Sequence, residues 1–249
     1  MCAATALVHH AGKISVPDQW LFTATTTMHV ETLKKGTMSQ HFLPAHVENI
    51  VLGAFIRKRA FDVLFSLCVT VFFLSWFIPI IALIIKLDSR GPVFFKQLRT
   101  GKHNKPFYCL KFRSMRINAD ADHKQATKGD ARITKFGAFM RKTNIDELPQ
   151  FINVLRGEMS VVGPRPHMLK HTEDYSRLID NFMVRHLVSP GITGWAQVTG
   201  YRGETKETEA MEKRVNTDIW YIKNWSFMLD LKIVILTIKQ TFKGNENAF

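Results

Sequence analysis

The sequence predicts a mostly helical α/β protein: a re-entrant membrane helix-break-helix joined to a small cytoplasmic domain that holds a short β-hairpin and interfacial amphipathic helices. Three observations predict it. One is a long uncharged apolar run with a proline inside it; the second is a pair of alternating segments about a polar turn; the third is a series of 3.6-residue periodicities further along the chain. At 249 residues and 46% hydrophobic content, the chain has ample material for a packed core.

The apolar run comes first. Between Asp62 and Lys86 no residue is charged, and residues 61–87 as a straight helix would cover roughly 40 Å at about 1.5 Å per residue. A bilayer core needs only ~30 Å, so a buried core helix is the weaker reading. The run lies too far from the N-terminus for a signal peptide and lacks a small-residue cleavage pattern. Pro79 removes a backbone donor and crowds the preceding turn, which favours a break or sharp kink. Arg57, Lys58 and Arg59 precede the run, while Lys86 and Arg90 follow it. The positive-inside tendency then keeps both ends on the cytoplasmic face, and residues 57–90 are expected to form a hairpin that dips into one leaflet and returns. Residues 1–56 have mixed composition and read as a poorly ordered leader. Residues 91–249 are the expected cytoplasmic domain.

Residues 89–119 hold eight Lys or Arg and no acid. They form an expected hairpin, V-F-F-K-Q-L-R, then T-G-K-H-N-K, then F-Y-C-L-K-F-R-S-M. Alternation puts Lys111 and Arg113 on one face of the second strand, where they either bind phosphate or meet solvent. Lys102 and Lys105 in the turn read as solvated or lipid-facing. After a polar loop at 120–130, residues 131–142 suit a helix capped by Asp130, with Ile133, Phe136 and Met140 opposite Arg132, Lys135, Arg141 and Lys142. A basic helix beside a membrane is expected at its surface. Leu148, Phe151, Ile152 and Leu155 mark the next helix, which stops at Gly157. Residues 167–187 read as helical, S-P-G-I-T-G-W-A-Q-V as an irregular loop, and residues 207–214 as a polar helix. Trp220, Tyr221, Trp225 and Phe227 in the tail suit either a core helix or the bilayer interface.

Charge and cysteines narrow the function. A net charge of +13 suits nucleic acid, anionic lipid or phosphorylated small molecules. The membrane run, and the lack of any recognition motif, exclude nucleic acid. Cys2, Cys68 and Cys109 stand at no metal-ligand spacing, so neither a disulfide framework nor a zinc site is expected, and a reducing, cytosol-facing domain follows.

The densest chemistry lies in residues 143–166, T-N-I-D-E-L-P-Q-F-I-N-V-L-R-G-E-M-S-V-V-G-P-R-P. Asn144 followed by Glu147 fits a capping box, which makes the acid pair helix-capping charges. Pro149 would then delete a bond inside that helix. Starting the helix nearer Glu147 or Leu148 puts the proline in the first turn and the acids at the helix mouth, where amides and dipole favour carboxylates and phosphate. Asp146 and Glu147 can then divide the labour, one attacking phosphorus and the other holding a divalent cation. Mg²⁺ suits such a pair, since it takes one or two carboxylates together with phosphate oxygens. Pro164 and Pro166 fix the backbone on either side of Arg165, whose planar fork suits phosphate or, alternatively, a carboxylate within a structural turn.

Assembled, these residues resemble the bacterial sugar transferase family, the monotopic polyprenol-phosphate phosphoglycosyl transferases. The matching pieces are K-R-A-F-D at 58–62, the apolar run with Pro79, G-P-V-F-F-K-Q at 91–97, K-F-R-S-M at 111–115, D-E-L-P-Q-F-I-N-V-L-R-G-E-M-S at 146–160, V-G-P-R-P at 162–166 and P-G-I-T-G-W-A-Q-V at 190–198. They cover residues 57–244 in order. The resemblance implies an enzyme that moves a sugar 1-phosphate from a UDP-sugar to undecaprenyl phosphate and releases UMP, the first membrane step of exopolysaccharide, capsule or O-antigen assembly. It implies Asp146 as nucleophile through a covalent phosphosugar intermediate, with Glu147 and Mg²⁺ organising the pyrophosphate and both acids as metal ligands. Lys111, Arg113 and Arg165 are candidates for neutralising charge, and Arg141, Gln197 and Asp218 are further substrate-binding candidates. The expected partners are a UDP-sugar, undecaprenyl phosphate and bacterial inner-membrane lipid, and a homo-oligomer is compatible with them. A non-catalytic basic membrane scaffold is the alternative of another class.

Two departures accompany the resemblance. Long members carry several N-terminal transmembrane helices and a further domain, so this chain is expected to be a short form or a fragment. Short members often have serine before the helix-breaking proline, where this chain has Ile78. Residues 200–215 look most like members that transfer glucose 1-phosphate, ahead of galactose 1-phosphate or an N-acetylated sugar phosphate.

Overall fold

A computed structural model describes residues 45–117, 127, 129–203 and 207–243. Expectations about residues 1–44 and most of the 120–130 loop fall outside those residues. Helix α1 (Ala45–Cys68) leads into a π-helical stretch (Val69–Leu74) and then α2 (Ser75–Asp88), so the apolar run is helical through Pro79 and does not stop there. The irregularity sits one turn earlier, because Pro79 offers no N–H to the Ser75 carbonyl and its ring crowds that turn. The Ser75 amide reaches back to the Thr70 carbonyl. Ser75 Oγ and Trp76 Nε1 then donate to the carbonyls of Val71 and Phe72 at 2.6 and 2.9 Å.

One face of this run meets no protein. Phe72 and Leu87 are 77% and 79% exposed, and the run is long and apolar enough to enter a bilayer while staying mostly unburied. An apolar strip of that size calls for lipid or a partner to cover it.

The other face is tied down at both ends. Lys58 Nζ lies 2.8 Å from Asp230 and donates to the Val162 carbonyl at 3.1 Å. Arg59 donates to the carbonyls of Val154 and Leu155 at 2.8 and 3.2 Å, and Asp62 accepts from the Val161 amide at 3.0 Å. The K-R-A-F-D motif is therefore a clamp onto the domain, and Lys58 and Arg59 have contacts beyond the head-group flank expected of them. At the far end, Arg113 donates to the carbonyls of Pro92, Arg90 and Ser89 at 2.6, 2.6 and 2.7 Å. Between the clamps, Leu74 is fully buried.

The hairpin forms as expected, with β1 (Phe94–Thr100) antiparallel to β2 (Pro106–Phe112) and Phe94 opposite Phe112. Helix α3 (Lys135–Thr143) starts later than residue 131. Its cap is Thr134, whose hydroxyl accepts from the Gly137 amide at 3.0 Å; Asp130 instead binds Arg132 at 2.7 Å. Thr134 has the extended backbone and short hydroxyl that a cap requires, and the Asp130 carboxylate is already taken. A 3₁₀ turn (Ile145–Glu147) precedes α4 (Gln150–Leu155) and β3 (Ser160–Val162). Then come α5 (Leu169–Leu178), a further 3₁₀ stretch (Phe182–Leu187), β4 (Gly191–Thr193), α6 (Trp195–Val198), α7 (Thr208–Lys223) and α8 (Phe227–Lys243). The single helix expected over 167–187 is interrupted at Asn181, which is left-handed at φ 63°.

Strands β3 and β4 pair in parallel, a second sheet that sequence alone did not foresee. The approach is close enough to explain P-G-I-T-G: a Cβ on Gly191 would stand 2.1 Å from the Gly163 nitrogen. In the tail the core-helix expectation holds for two of the four aromatic residues. Tyr221 and Trp225 are core and donate to Asp230 at 2.7 and 3.0 Å, while Trp220 and Phe227 are exposed. The main core packs Leu74, Phe107, Phe151, Val161, Ile222 and Ile233. A second cluster of Ile81, Ile85, Phe112 and Met140 seats α2 on the hairpin and α3.

Candidate active site

Asp146 and Glu147 lie on the 3₁₀ turn that follows Asn144, and both are buried. Asn144 is left-handed and ends α3, so the capping box does not form. Pro149 occupies the N-cap position of α4, close to where the proline argument puts it. The positive field on the acids comes from side chains that converge from four elements of the chain.

Lys111 reaches in from β2, with Nζ 2.7 Å from Glu147 Oε1. What fixes the strand there is Asn153, fully buried on α4: its Oδ1 accepts from the Leu110 amide at 2.9 Å, and its Nδ2 donates to the Tyr108 carbonyl at 2.8 Å and to Glu158 at 2.6 Å. This accounts for N-V-L-R-G-E as a strap between helix and hairpin, a role not legible in the sequence.

Arg165 grips Glu147 through two bonds, Nη2 to Oε1 at 2.5 Å and Nη1 to Oε2 at 3.1 Å. The structural-turn reading of this arginine thus describes its geometry, within the same cluster as the dyad. The prolines at 164 and 166 have no N–H, so the turn offers mainly carbonyls, and each is claimed. The Pro164 carbonyl accepts from the Gly191 amide at 2.9 Å and the His167 carbonyl from the Thr100 amide at 2.9 Å. Arg185 donates to the Arg165 carbonyl at 2.8 Å, and Arg99 to that of Pro166 at 3.3 Å. Arg185 is itself 1% exposed, pairs with Asp218 at 2.7 Å and donates to His167 Nδ1 at 2.7 Å. Burial, reinforced by Arg185, holds the His167 imidazole well below its ordinary pKa and therefore neutral.

The two acids titrate in opposite directions. For Glu147, burial alone would raise the pKa, but Arg165 and Lys111 outweigh it and hold the carboxyl well below the usual range. For Asp146 burial prevails over the opposing field of Lys111, and the charge on Glu147 adds to it, so its pKa is raised. Among the described residues no hydrogen bond reaches the Asp146 carboxylate. Lys111, Arg141, Arg165 and Arg202 all act on this pair, four cations against two carboxylates. Such a cluster is short of negative charge, which a bound diphosphate would supply.

The remaining candidates sort by position. Arg141 acts on Asp146 and donates to Ser114 at 3.4 Å. Arg113 does not join Lys111 at the site as alternation predicts: none of its hydrogen bonds goes to the dyad, and its guanidinium holds the Ser89 and Arg90 carbonyls just past the end of α2. Alternation gives the two residues one face, yet β2 ends at Phe112, and beyond it the Arg113 side chain meets the helix end. Asp218 is 2% exposed and paired with Arg185, so its link to the Arg165 turn runs through Arg185. Gln197 is buried, with Nε2 donating to the Ile192 carbonyl at 3.3 Å. Sequence reasoning missed Arg202; the cue was a lone arginine between two glycines. Arg185 had a fainter cue, a charge inside the apolar stretch F-M-V-R-H-L.

Residues 53–244 match the family described as bacterial sugar transferase. The chain is 52% identical over 193 residues to the UDP-glucose:undecaprenyl-phosphate glucose-1-phosphate transferase of Escherichia coli strain K12, covering 77% of this chain and 41% of that protein. It is 46% identical to the Caulobacter vibrioides protein of the same name, over 78% of this chain and 72% of that one. A UDP-N-acetylgalactosamine-undecaprenyl-phosphate N-acetylgalactosaminephosphotransferase from Aeromonas hydrophila is 44% identical over 77% of this chain and 44% of its own length. The chain thus spans less than half of two of these relatives.

Proposed function

This chain belongs to the bacterial sugar transferase family, and on that premise we propose that it moves glucose 1-phosphate from UDP-glucose to undecaprenyl phosphate and releases UMP. The observation that carries the reading is the division between the acids. Glu147 is saturated by cations, whereas Asp146, in the same field, keeps open lone pairs and a raised basicity. A more basic, unpaired carboxylate is the better nucleophile.

In the first step an Asp146 oxygen bonds to the phosphorus that carries the sugar. The bond from that phosphorus to the UMP oxygen breaks, and the electron pair leaves with UMP. In the second step an oxygen of the lipid phosphate attacks the same phosphorus and Asp146 departs as carboxylate. Lys111 and Arg165 hold Glu147 and present their remaining donors to the diphosphate, so charge is met by groups already in place.

Mg²⁺ fits one of the two acids better than the other. Both Glu147 oxygens already face guanidinium or ammonium groups, so Asp146 is the ligand with room. Among the described residues no group of three or more His, Cys, Asp or Glu is poised for a metal, so substrate phosphate oxygens would complete the shell. When bound, the ion would offset phosphate charge.

The clamps support the membrane arrangement proposed for this chain. A run whose two ends are held by one domain, through Lys58 and Arg59 at one end and Arg113 at the other, enters and leaves on the same face. That favours a re-entrant segment, and the cytoplasmic side for the catalytic domain rests on the basic flanks Arg57, Lys58, Arg59, Lys86 and Arg90. Glucose is favoured because two of the relatives described carry it in their names, and the N-acetylgalactosamine relative defines the competitor.

The test is UMP release by membranes containing the full chain, with undecaprenyl phosphate, Mg²⁺ and a panel of UDP-sugars. UDP-glucose should release UMP fastest, and Asp146→Asn should abolish release while membrane association persists. No release from any UDP-sugar would leave a basic membrane scaffold as the better account.

A further inference from the structure

Lys111 and Arg165 close on Glu147 at 2.7 and 2.5 Å, but Arg202 stands 3.9 Å from Oε2. Its Nη2 donates instead to the neutral Oδ1 of Asn144. The side chain is only 16% exposed, so a guanidinium sits nearly out of water with its nearest carboxylate at the outer edge of ion-pair distance. A buried cation so placed is under-compensated, and an anion that reached it would relieve the cost.

The backbone explains how it gets there. Arg202 lies between Gly200 at φ +101° and Gly203 at φ +105°, conformations that side chains rarely adopt. Arg214 of α7 donates to the Gly203 carbonyl at 2.9 Å and fixes the far end of the loop. The near end meets Asn144, two residues ahead of Asp146, so the guanidinium is delivered to the Glu147 side of the dyad.

We propose that Arg202 is the cation of a phosphate-monoester subsite, occupied first by the departing nucleoside monophosphate and then by the attacking lipid phosphate. The inference rests on the reaction proposed above. In an in-line displacement the leaving oxygen departs opposite the attacking Asp146, and the second nucleophile must enter from that same side. Both groups are phosphate monoesters, so one guanidinium serves both. The balance is that already given: the electron pair freed in the first step stays on the nucleotide oxygen, and the pair freed in the second returns to Asp146.

The experiment uses the full chain in membranes, with two readouts: exchange of labelled UMP into UDP-glucose without lipid acceptor, and transfer of sugar phosphate to undecaprenyl phosphate. Arg202→Gln should slow both by about 100-fold, the cost of one preorganised donor. Arg202→Lys should recover part of each, and added guanidinium ion should restore Arg202→Ala. Exchange at the unmodified rate in Arg202→Gln, loss of the lipid step alone, or failure of guanidinium to restore Arg202→Ala would overturn the assignment. Absence of exchange in the unmodified chain, or its survival in Asp146→Asn, would instead overturn the underlying reaction.

Discussion

Arg165 holds both oxygens of Glu147, at 2.5 and 3.1 Å, and no hydrogen bond among the described residues reaches the Asp146 carboxylate next door. Adjacent buried acids are thereby made unequal: Arg165 and Lys111 hold Glu147, while burial prevails at Asp146. The proposed chemistry depends on that inequality.

A lysine cannot reproduce the fork. Arg165→Lys keeps the charge but loses one of two parallel bonds, so UMP release should fall by about 100-fold. Release within about threefold of the unmodified chain would show that charge alone suffices.

Removing each acid should move stability in opposite directions. Asp146 has a folded pKa above its ordinary 3.8, so its penalty is absent below that pH and grows as pH rises through the folded value. Asp146→Asn should therefore be inactive yet more stable at neutral pH. Glu147 has a folded pKa well below its ordinary 4.5, so its contribution is present above 4.5 and is lost as pH falls through the folded value. Glu147→Gln should be less stable at neutral pH, by about 3 kcal/mol, with the gap closing in acid. Thermal melts across pH 3–8 check both signs.

Arg113 offers a contrast. With its donors on the carbonyls of Ser89, Arg90 and Pro92, Arg113→Gln should lower the melting temperature and leave the KM for UDP-glucose within about twofold. A raised KM without loss of stability would return it to the phosphate site.

The Arg185–Asp218 pair, 1% and 3% exposed in its side chains, should behave as a unit. Asp218→Leu alone leaves a buried guanidinium unpaired and should cost about 3 to 5 kcal/mol. Arg185→Met with Asp218→Leu should recover part of that stability but not the kcat, since the Arg165 carbonyl has still lost its donor. Denaturant unfolding and UMP kinetics on the three variants separate packing from positioning.

What the sequence made legible was local. The hairpin could be read because alternation and its turn lie close together along the chain, and Pro149 located the acids because a proline restricts helix starts wherever it stands. The β3–β4 pair could not be read in this way: each strand is three residues long, and the partners are separated by α5 and a 3₁₀ stretch. Arg113 misled because alternation assigns a face but does not say where the strand stops. Asp218 carries the signature of a site acid, a carboxylate among cations, and only its depth reveals that its link to the Arg165 turn runs through Arg185. Pro79 announced an irregularity; whether the helix would end or widen depended on Ser75 and Trp76 being able to serve the carbonyls of Val71 and Phe72.

The central claim is that Asp146 attacks phosphorus, and intact-protein mass spectrometry of the full chain tests it most directly. With UDP-glucose and Mg²⁺ but no lipid acceptor, the chain should gain the mass of one glucose phosphate, mapped by proteolysis to Asp146 and discharged on adding undecaprenyl phosphate. An adduct on another residue, or UMP released only when the lipid is present and with no adduct at all, would contradict it.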